Sequence, residues 1–146
     1  MFEIAESVDI ARPPATVFAF LTDPDRRAEW DRSVLSERLL SAPPVTEGSR
    51  IRTRMRVMGQ EIEFDWNVTE FVAPQTMAAT STSGTMPTRL RFEMTPIAIG
   101  CRVAAVIQAR PGGMLRLVEP VVAESARSTL AAGLARAKLL LERGED

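Results

Sequence analysis

A double run of alternating residues in the middle of the chain restricts its fold more than any other feature. From Arg50 to Val57, Arg50, Arg52, Arg54 and Arg56 take every second place, and Ile51, Thr53, Met55 and Val57 fill the places between. After Met58-Gly59-Gln60 the pattern resumes, with Ile62, Phe64, Trp66 and Val68 alternating with Glu61, Glu63, Asp65 and Asn67. A period of two sends successive side chains to opposite faces of a strand. Two such runs joined by a tight turn at Gly59 predict an antiparallel hairpin. Either turn register lays an arginine row opposite an acidic row, with apolar side chains facing each other beneath. Charge and hydropathy thus specify the same pairing.

The flanking segments extend this sheet. Phe2, Ile4, Val8 and Ile10 share one parity and predict a half-buried first strand, ended by Arg12-Pro13-Pro14. Ala15 to Leu21 reads as a short helix, and Asp23-Pro24 opens a second one that runs through Trp30. Val34 to Leu40 predicts a strand, followed by a loop at Ala42-Pro43-Pro44 and Gly48. Ala73-Pro74 and Ser83-Gly84-Thr85 bracket another strand, with Met77 and Ala79. Leu90, Phe92 and Met94 mark the next, and Cys101, Val103, Ala105 and Ile107 the last. Strands that follow one another through short turns build an antiparallel meander.

Beyond Gly112-Gly113 the period changes to about 3.6. From Met114 to roughly Arg143, Leu115, Val118, Val122, Ala126, Leu130, Gly133, Ala137 and Leu140 fall on one stripe of a helix that Pro120 kinks or divides. A sheet of about seven strands with one apolar face must cover that face, and this helix is the only long element available. A twisted antiparallel sheet curls around one helix, and the space left between them suits an apolar ligand. The predicted class is α+β, one domain over residues 1–146, with a curved sheet around a long C-terminal helix and two short helices after the first strand.

Composition narrows the chemistry. The chain has 146 residues, no histidine, no tyrosine and one cysteine. Ser–His–Asp and Cys–His catalysis are therefore excluded, as are zinc sites that need histidine or several cysteines. No phosphate loop or cation-binding spacing is present, so neither a metal nor a cofactor is expected. With a net charge of −1 the chain has no global field to draw it to nucleic acid or an anionic membrane. The arginine row, opposed by acids, reads as a solvated sheet face. Seventeen of the eighteen basic residues are arginine, a bias ascribed to codon composition. The acid near the N-terminus is unlike a signal peptide, and no apolar run is long enough for a membrane span, so a cytoplasmic protein without integral membrane association is expected.

The run Ile10-Ala11-Arg12-Pro13-Pro14-Ala15-Thr16-Val17-Phe18-Ala19-Phe20-Leu21-Thr22-Asp23-Pro24, with Trp30 six residues on, resembles the opening of the START-like (SRPBCC) superfamily of polyketide cyclase/dehydrase type. Gly48-Ser49-Arg50, the hairpin around Gly59 and Val68-Thr69-Glu70-Phe71-Val72-Ala73-Pro74 are similar to its middle strands. Leu117, Pro120, Leu130, Leu134, Lys138, Leu141 and Glu142 are spaced as in its final helix. The resemblance implies the helix-grip (Bet v 1/START-like) fold, with a hydrophobic cavity between sheet and helix. It also implies members that bind lipids, sterols, quinones or polyketides, some of which catalyse cyclisation or dehydration.

Candidate ligand-binding residues are the inward row Met55, Phe64, Trp66, Met77, Phe92 and Met94, with Trp30 at the cavity mouth and Leu115, Val118 and Val122 from the helix segment. The same row serves equally well as a packed core, and Trp30 as an anchor between helices and sheet. Gly133 either allows close contact of helix and sheet or leaves room for a guest. Cys101, with no histidine to activate it, reads as a buried inert thiol. Glu6 and Glu70 continue apolar rows. Facing a cavity they are candidate proton-transfer groups; at a bulge or strand end they turn to water. The expected function is binding of a small hydrophobic molecule as carrier, sensor or sequestering protein. A polyketide cyclase or dehydratase and a ligand-free interaction module are the alternatives, and a homodimer is left open.

Overall fold

The computed structural model describes residues 1–84 and 86–144; Thr85, expected beside a turn, lies outside them. The first strand, β1 (Phe2–Ile10), is followed by α1 (Pro14–Leu21). Pro13 is extended and Pro14 stands in the first turn, where a missing N–H costs no hydrogen bond. Thr22 closes α1 by donating its hydroxyl to the Phe18 carbonyl at 2.8 Å. Asp23 then accepts from the Asp25 amide at 2.9 Å and starts a 3₁₀ turn, Pro24–Arg26, that leads into the single-turn α2 (Arg27–Trp30). The expected second helix is thus present, with its first half wound more tightly.

The remaining strands are β2 (Val34–Leu39), β3 (Arg50–Val57), β4 (Gln60–Val72), β5 (Thr76–Ser81), β6 (Thr88–Ile97) and β7 (Gly100–Ala109). They form one seven-stranded sheet in the order β1-β7-β6-β5-β4-β3-β2, with every pair antiparallel. Among the described residues the one long crossover runs from β1 to the opposite edge at β2, and it carries α1 and α2. From β2 the chain returns to β1 one hairpin at a time.

The central hairpin pairs Val57 with Gln60 across Met58 and Gly59, whose φ angles are 51° and 82°. Positive φ at both turn positions gives a turn that twists with the strands. Its register sets Arg52 opposite Asp65, and the guanidinium donates from Nε at 2.8 Å and from Nη2 at 3.1 Å. That hydrogen bond holds the Asp65 carboxyl below its ordinary range. Arg54 reaches diagonally to Glu61 at 2.6 Å. The opposed charge rows therefore stand on the outer face, with Ile51, Thr53 and Phe64 buried beneath.

The helical segment divides at Pro120. Gly113–Val118 is 3₁₀, and the α-helix proper, α3 (Glu119–Glu142), has Pro120 in its first turn. Because a 3₁₀ segment turns every three residues, the buried stripe does not continue back through it. Val118, expected on that stripe, is 40% exposed. Within α3 the buried positions are Val122, Leu130, Gly133, Leu134, Ala137 and Leu141; Leu140 is only half-buried. Polar links fasten the end of the helix to β1 and the turn after it: Lys138 donates to the Asp9 carbonyl at 2.7 Å, and Glu142 accepts from the Ala11 amide at 2.9 Å.

The sheet grips this helix unevenly. Leu134, Ala137 and Leu141 close a solid core with Ile10, Phe18, Phe92, Met94, Cys101 and Val103. The opposite end is a smaller cluster around Phe64, Met86, Ala109 and Val122. The site lies there.

Candidate functional site

Small side chains create the opening. Along the first half of α3, Val122, Ser125, Ala126 and Thr129 face the sheet, and Ala109 at the end of β7 adds another short side chain. They stand across from Phe2, Met55, Phe64, Trp66, Leu90, Phe92 and Ile107, whose bulk sits on the strands. The mismatch leaves a cavity of about 100 Å³ between helix and sheet. Phe64 and Trp66, two residues apart on β4, stack at 5.2 Å between centroids with 19° between their planes. This gives the floor of the cavity a flat aromatic surface. Met55 and Met86 contribute flexible thioether side chains that adapt to irregular guests.

Five of the ten expected ligand-binding residues line this cavity: Met55, Phe64, Trp66, Phe92 and Val122. Met77 and Met94 are buried in the solid core instead, because the helix packs fully at that end. Leu115 is half-buried and packs against the cluster beside the cavity, while Val118 faces out. Trp30 is 1% exposed, and its ring meets Phe92 edge-on at 6.2 Å. A Cβ added at Gly133 would lie 3.2 Å from the Trp30 ring, so that glycine serves close packing against α2.

The two expected proton-transfer groups are engaged elsewhere. A bulge at Thr69 shifts β4 between the pairs Val68–Ala79 and Glu70–Ala78. The extra residue turns Glu70 to the outer face, where Arg91 donates to it at 2.8 Å, and turns Phe71 inward against Phe18. Glu6 does face α3, but it pairs with Arg127 at 3.5 Å and does not line the cavity. Cys101 is fully buried, and that burial pushes its thiol up.

A polar cluster, not anticipated from the sequence, closes one end of the cavity. Arg27, Asp31 and Ser33 contribute to the lining. Arg27 lies 3.1 Å from Asp31 and 3.5 Å from Glu37, and its guanidinium covers the Trp30 ring at 4.8 Å. Asp31 also accepts from the Ser33 amide and hydroxyl at 3.0 and 2.6 Å. Glu37 accepts from the Thr53 hydroxyl at 2.7 Å, and that oxygen accepts from the Trp66 indole at 3.1 Å. Burial pushes the Glu37 carboxyl up, against the pull of Arg27 and Thr53. Burial also works against the Arg27 cation, but Glu37 and Asp31 outweigh it and hold the charge. Among the described residues, two buried donors, Arg27 Nε and Trp30 Nε1, have no hydrogen-bond partner. The only sequence signal for this cluster is Glu37, a carboxylate within a short edge strand; nothing in the linear order ties it to Arg27. Among the described residues no three His, Cys, Asp or Glu side chains gather as a metal site requires.

A family model described as polyketide cyclase / dehydrase and lipid transport matches residues 1–142. No curated protein matches the chain in sequence. Among solved structures, TTHA0849 from Thermus thermophilus superposes with a TM-score of 0.86 at 15% identity, covering 99% of this chain and 100% of that one. DR_A0006 from Deinococcus radiodurans gives 0.74 at 18% identity over 98% and 99%. Ara h 8.0201 gives 0.68 at 11% identity over 96% and 97%. At such identities the likeness is one of fold, and it agrees with the helix-grip, Bet v 1-like architecture described above.

Proposed function

We propose, from the premise that this chain belongs to the polyketide cyclase/dehydrase and lipid transport family, that it binds a small hydrophobic molecule between α3 and the sheet. The observation that carries this reading is the apolar cavity of about 100 Å³ beneath the first half of the helix. A void lined by Phe64, Trp66, Phe92, Met55 and Val122 forfeits dispersion contacts that a guest would restore. Apolar cavities of roughly this scale (about 150 Å³ in an engineered example) stay dry and take up compact hydrophobic ligands. Larger guests require Met55 and Met86 to change rotamer.

Native mass spectrometry of protein purified without detergent, with thermal shifts against octan-1-ol, quinones and aromatic polyketides, tests the reading. A ligand at about 100 times its Kd is expected to add about 2.7 kcal/mol of stability. No retained species and no shift with any of these compounds overturns it.

A catalytic variant of the same reading is favoured by one observation, the placement of Asp31 and Arg27 in the cavity wall. In that case a bound polyketide is cyclised or dehydrated, with Asp31 within reach to move a proton. Asp31→Asn is then expected to abolish turnover while the ligand still binds. Full turnover by that variant removes Asp31 from the chemistry.

A further inference from the structure

The cavity opens towards a second hollow, between the end of α2 and α3. Ser33, Arg56 and Thr129 belong to the walls of both, so the two spaces adjoin. Their chemistry differs. The inner one is mainly hydrocarbon, whereas the basic side chains lining the outer one are Arg32 and Arg136, beside Ser128 and Thr129, and its lining holds no carboxylate.

Arg32 and Arg136 are not consumed by neighbouring acids. Arg32 has no ion pair among the described residues. Arg136 gives its Nε to the Glu29 carbonyl at 2.8 Å, an uncharged acceptor, and keeps its full charge. Arg56 stands in the outer charge row, 3.8 Å from Glu61, and adjoins the cleft beside Ser33, whose carbonyl accepts from its amide at 2.7 Å. In a chain of net charge −1, a cleft lined by two basic side chains and no acid offers an anion a local positive field. Asp31, the nearest acid in the inner wall, is engaged by Arg27 and Ser33.

We infer that the ligand is an anionic amphiphile: its apolar body occupies the inner cavity and its carboxylate or phosphate sits in the outer cleft against Arg32 and Arg136. Arginine suits this task because its planar fork meets a carboxylate or phosphate with paired hydrogen bonds. This rests on the binding reading above and adds the class of head group. The half-exposed position of the cleft makes the charge contribution sensitive to salt.

Calorimetric titration with octanoate, methyl octanoate, octan-1-ol and octyl phosphate tests it, since the four share a tail and differ in the head. The acid is expected to bind about tenfold or more tightly than the ester and the alcohol, with the advantage shrinking as salt is raised. Arg32→Gln and Arg136→Gln are each expected to weaken octanoate severalfold and leave octan-1-ol unchanged. Arg32 is exposed and without an ion pair, so its variant should unfold at the parent temperature. Comparison of octanoate with octyl phosphate shows which anion the cleft prefers; preference for either over the alcohol supports the inference. Equal affinity for acid, ester and alcohol, or octanoate binding untouched by both substitutions, overturns it while leaving the hydrophobic cavity intact as a binding site. Failure of all four compounds to bind overturns the cavity reading itself.

Discussion

Glu37 is an inward-pointing charge on an edge strand, a placement that discourages unwanted pairing of that edge with other chains. Its environment also makes it a pH-sensitive group. Burial raises its carboxyl above the ordinary 4.5, so the folded protein holds that proton more tightly than the unfolded chain. The stability this confers is complete below that ordinary value and is lost as pH rises through the folded one. Glu37→Gln mimics the protonated form and keeps an oxygen for the Thr53 hydroxyl. It is therefore expected to flatten the decline and to be more stable than the parent above the transition. Urea unfolding of both proteins from about pH 4 to about pH 8 checks this, and an unchanged slope would contradict it. The Arg27–Asp31–Glu37–Thr53 cluster was illegible in the sequence for a physical reason. Its members come from a helical turn, the residue capping it and two strands, and only the crossover joining opposite sheet edges brings them together. Glu70 had two readings, and the bulge is the one present: the period-two pattern is clear up to Val68, but one inserted residue, Thr69, reverses every side chain after it.

At the scale of elements, two turns expose the limits of the backbone. Met58 has φ 51° at the first turn position of the β3–β4 hairpin, where a residue other than glycine, asparagine or aspartate is strained. Met58→Asn is expected to raise stability by about 0.5–1 kcal/mol, read as a higher denaturant midpoint at constant slope. A lower midpoint would show that the methionine side chain contributes packing of its own. Gly100, which opens β7 after the turn from β6, is constrained far more. It has φ 154°, and a Cβ there would lie 2.3 Å from the Ile10 carbonyl oxygen and 2.6 Å from the Arg12 amide. Because the obstacles are backbone atoms, relief requires β1 and β7 to separate. Gly100→Ala should therefore cost about 3 kcal/mol or more, and an unfolding midpoint within error of the parent would refute the close approach. The hairpin was legible from its alternating charges because both faces carried a signal. The demand at Gly100 was not, since it arises from a strand 90 residues away in the chain.

For the whole molecule, the change of period at Gly112-Gly113 was enough to predict a sheet wrapped on a terminal helix, and the crossover from β1 to β2 follows from closing that sheet beside its first strand. The sequence did not show that the grip is tight at one end and loose at the other. The first half of α3 has Leu130 as its one leucine, against Leu134, Leu139, Leu140 and Leu141 in the second, and the short side chains it turns to the sheet leave the space unfilled. Leu134, Ala137 and Leu141 meet a filled core, whereas Val122 and Ala126 stand over the void. This division lets the tight end carry stability while the loose end is free for binding. Ala126→Leu tests it directly, because it adds side-chain volume at the loose end alone. The larger side chain fills space that is already empty, so the unfolding midpoint of the ligand-free protein should stay level or rise by up to about 1 kcal/mol in equivalent stability. Binding of octan-1-ol should meanwhile fall by about tenfold or more, since the guest and the new side chain compete for one volume. A destabilised variant that still binds the alcohol would mean that the cavity is closed to guests and that binding occurs elsewhere on the molecule.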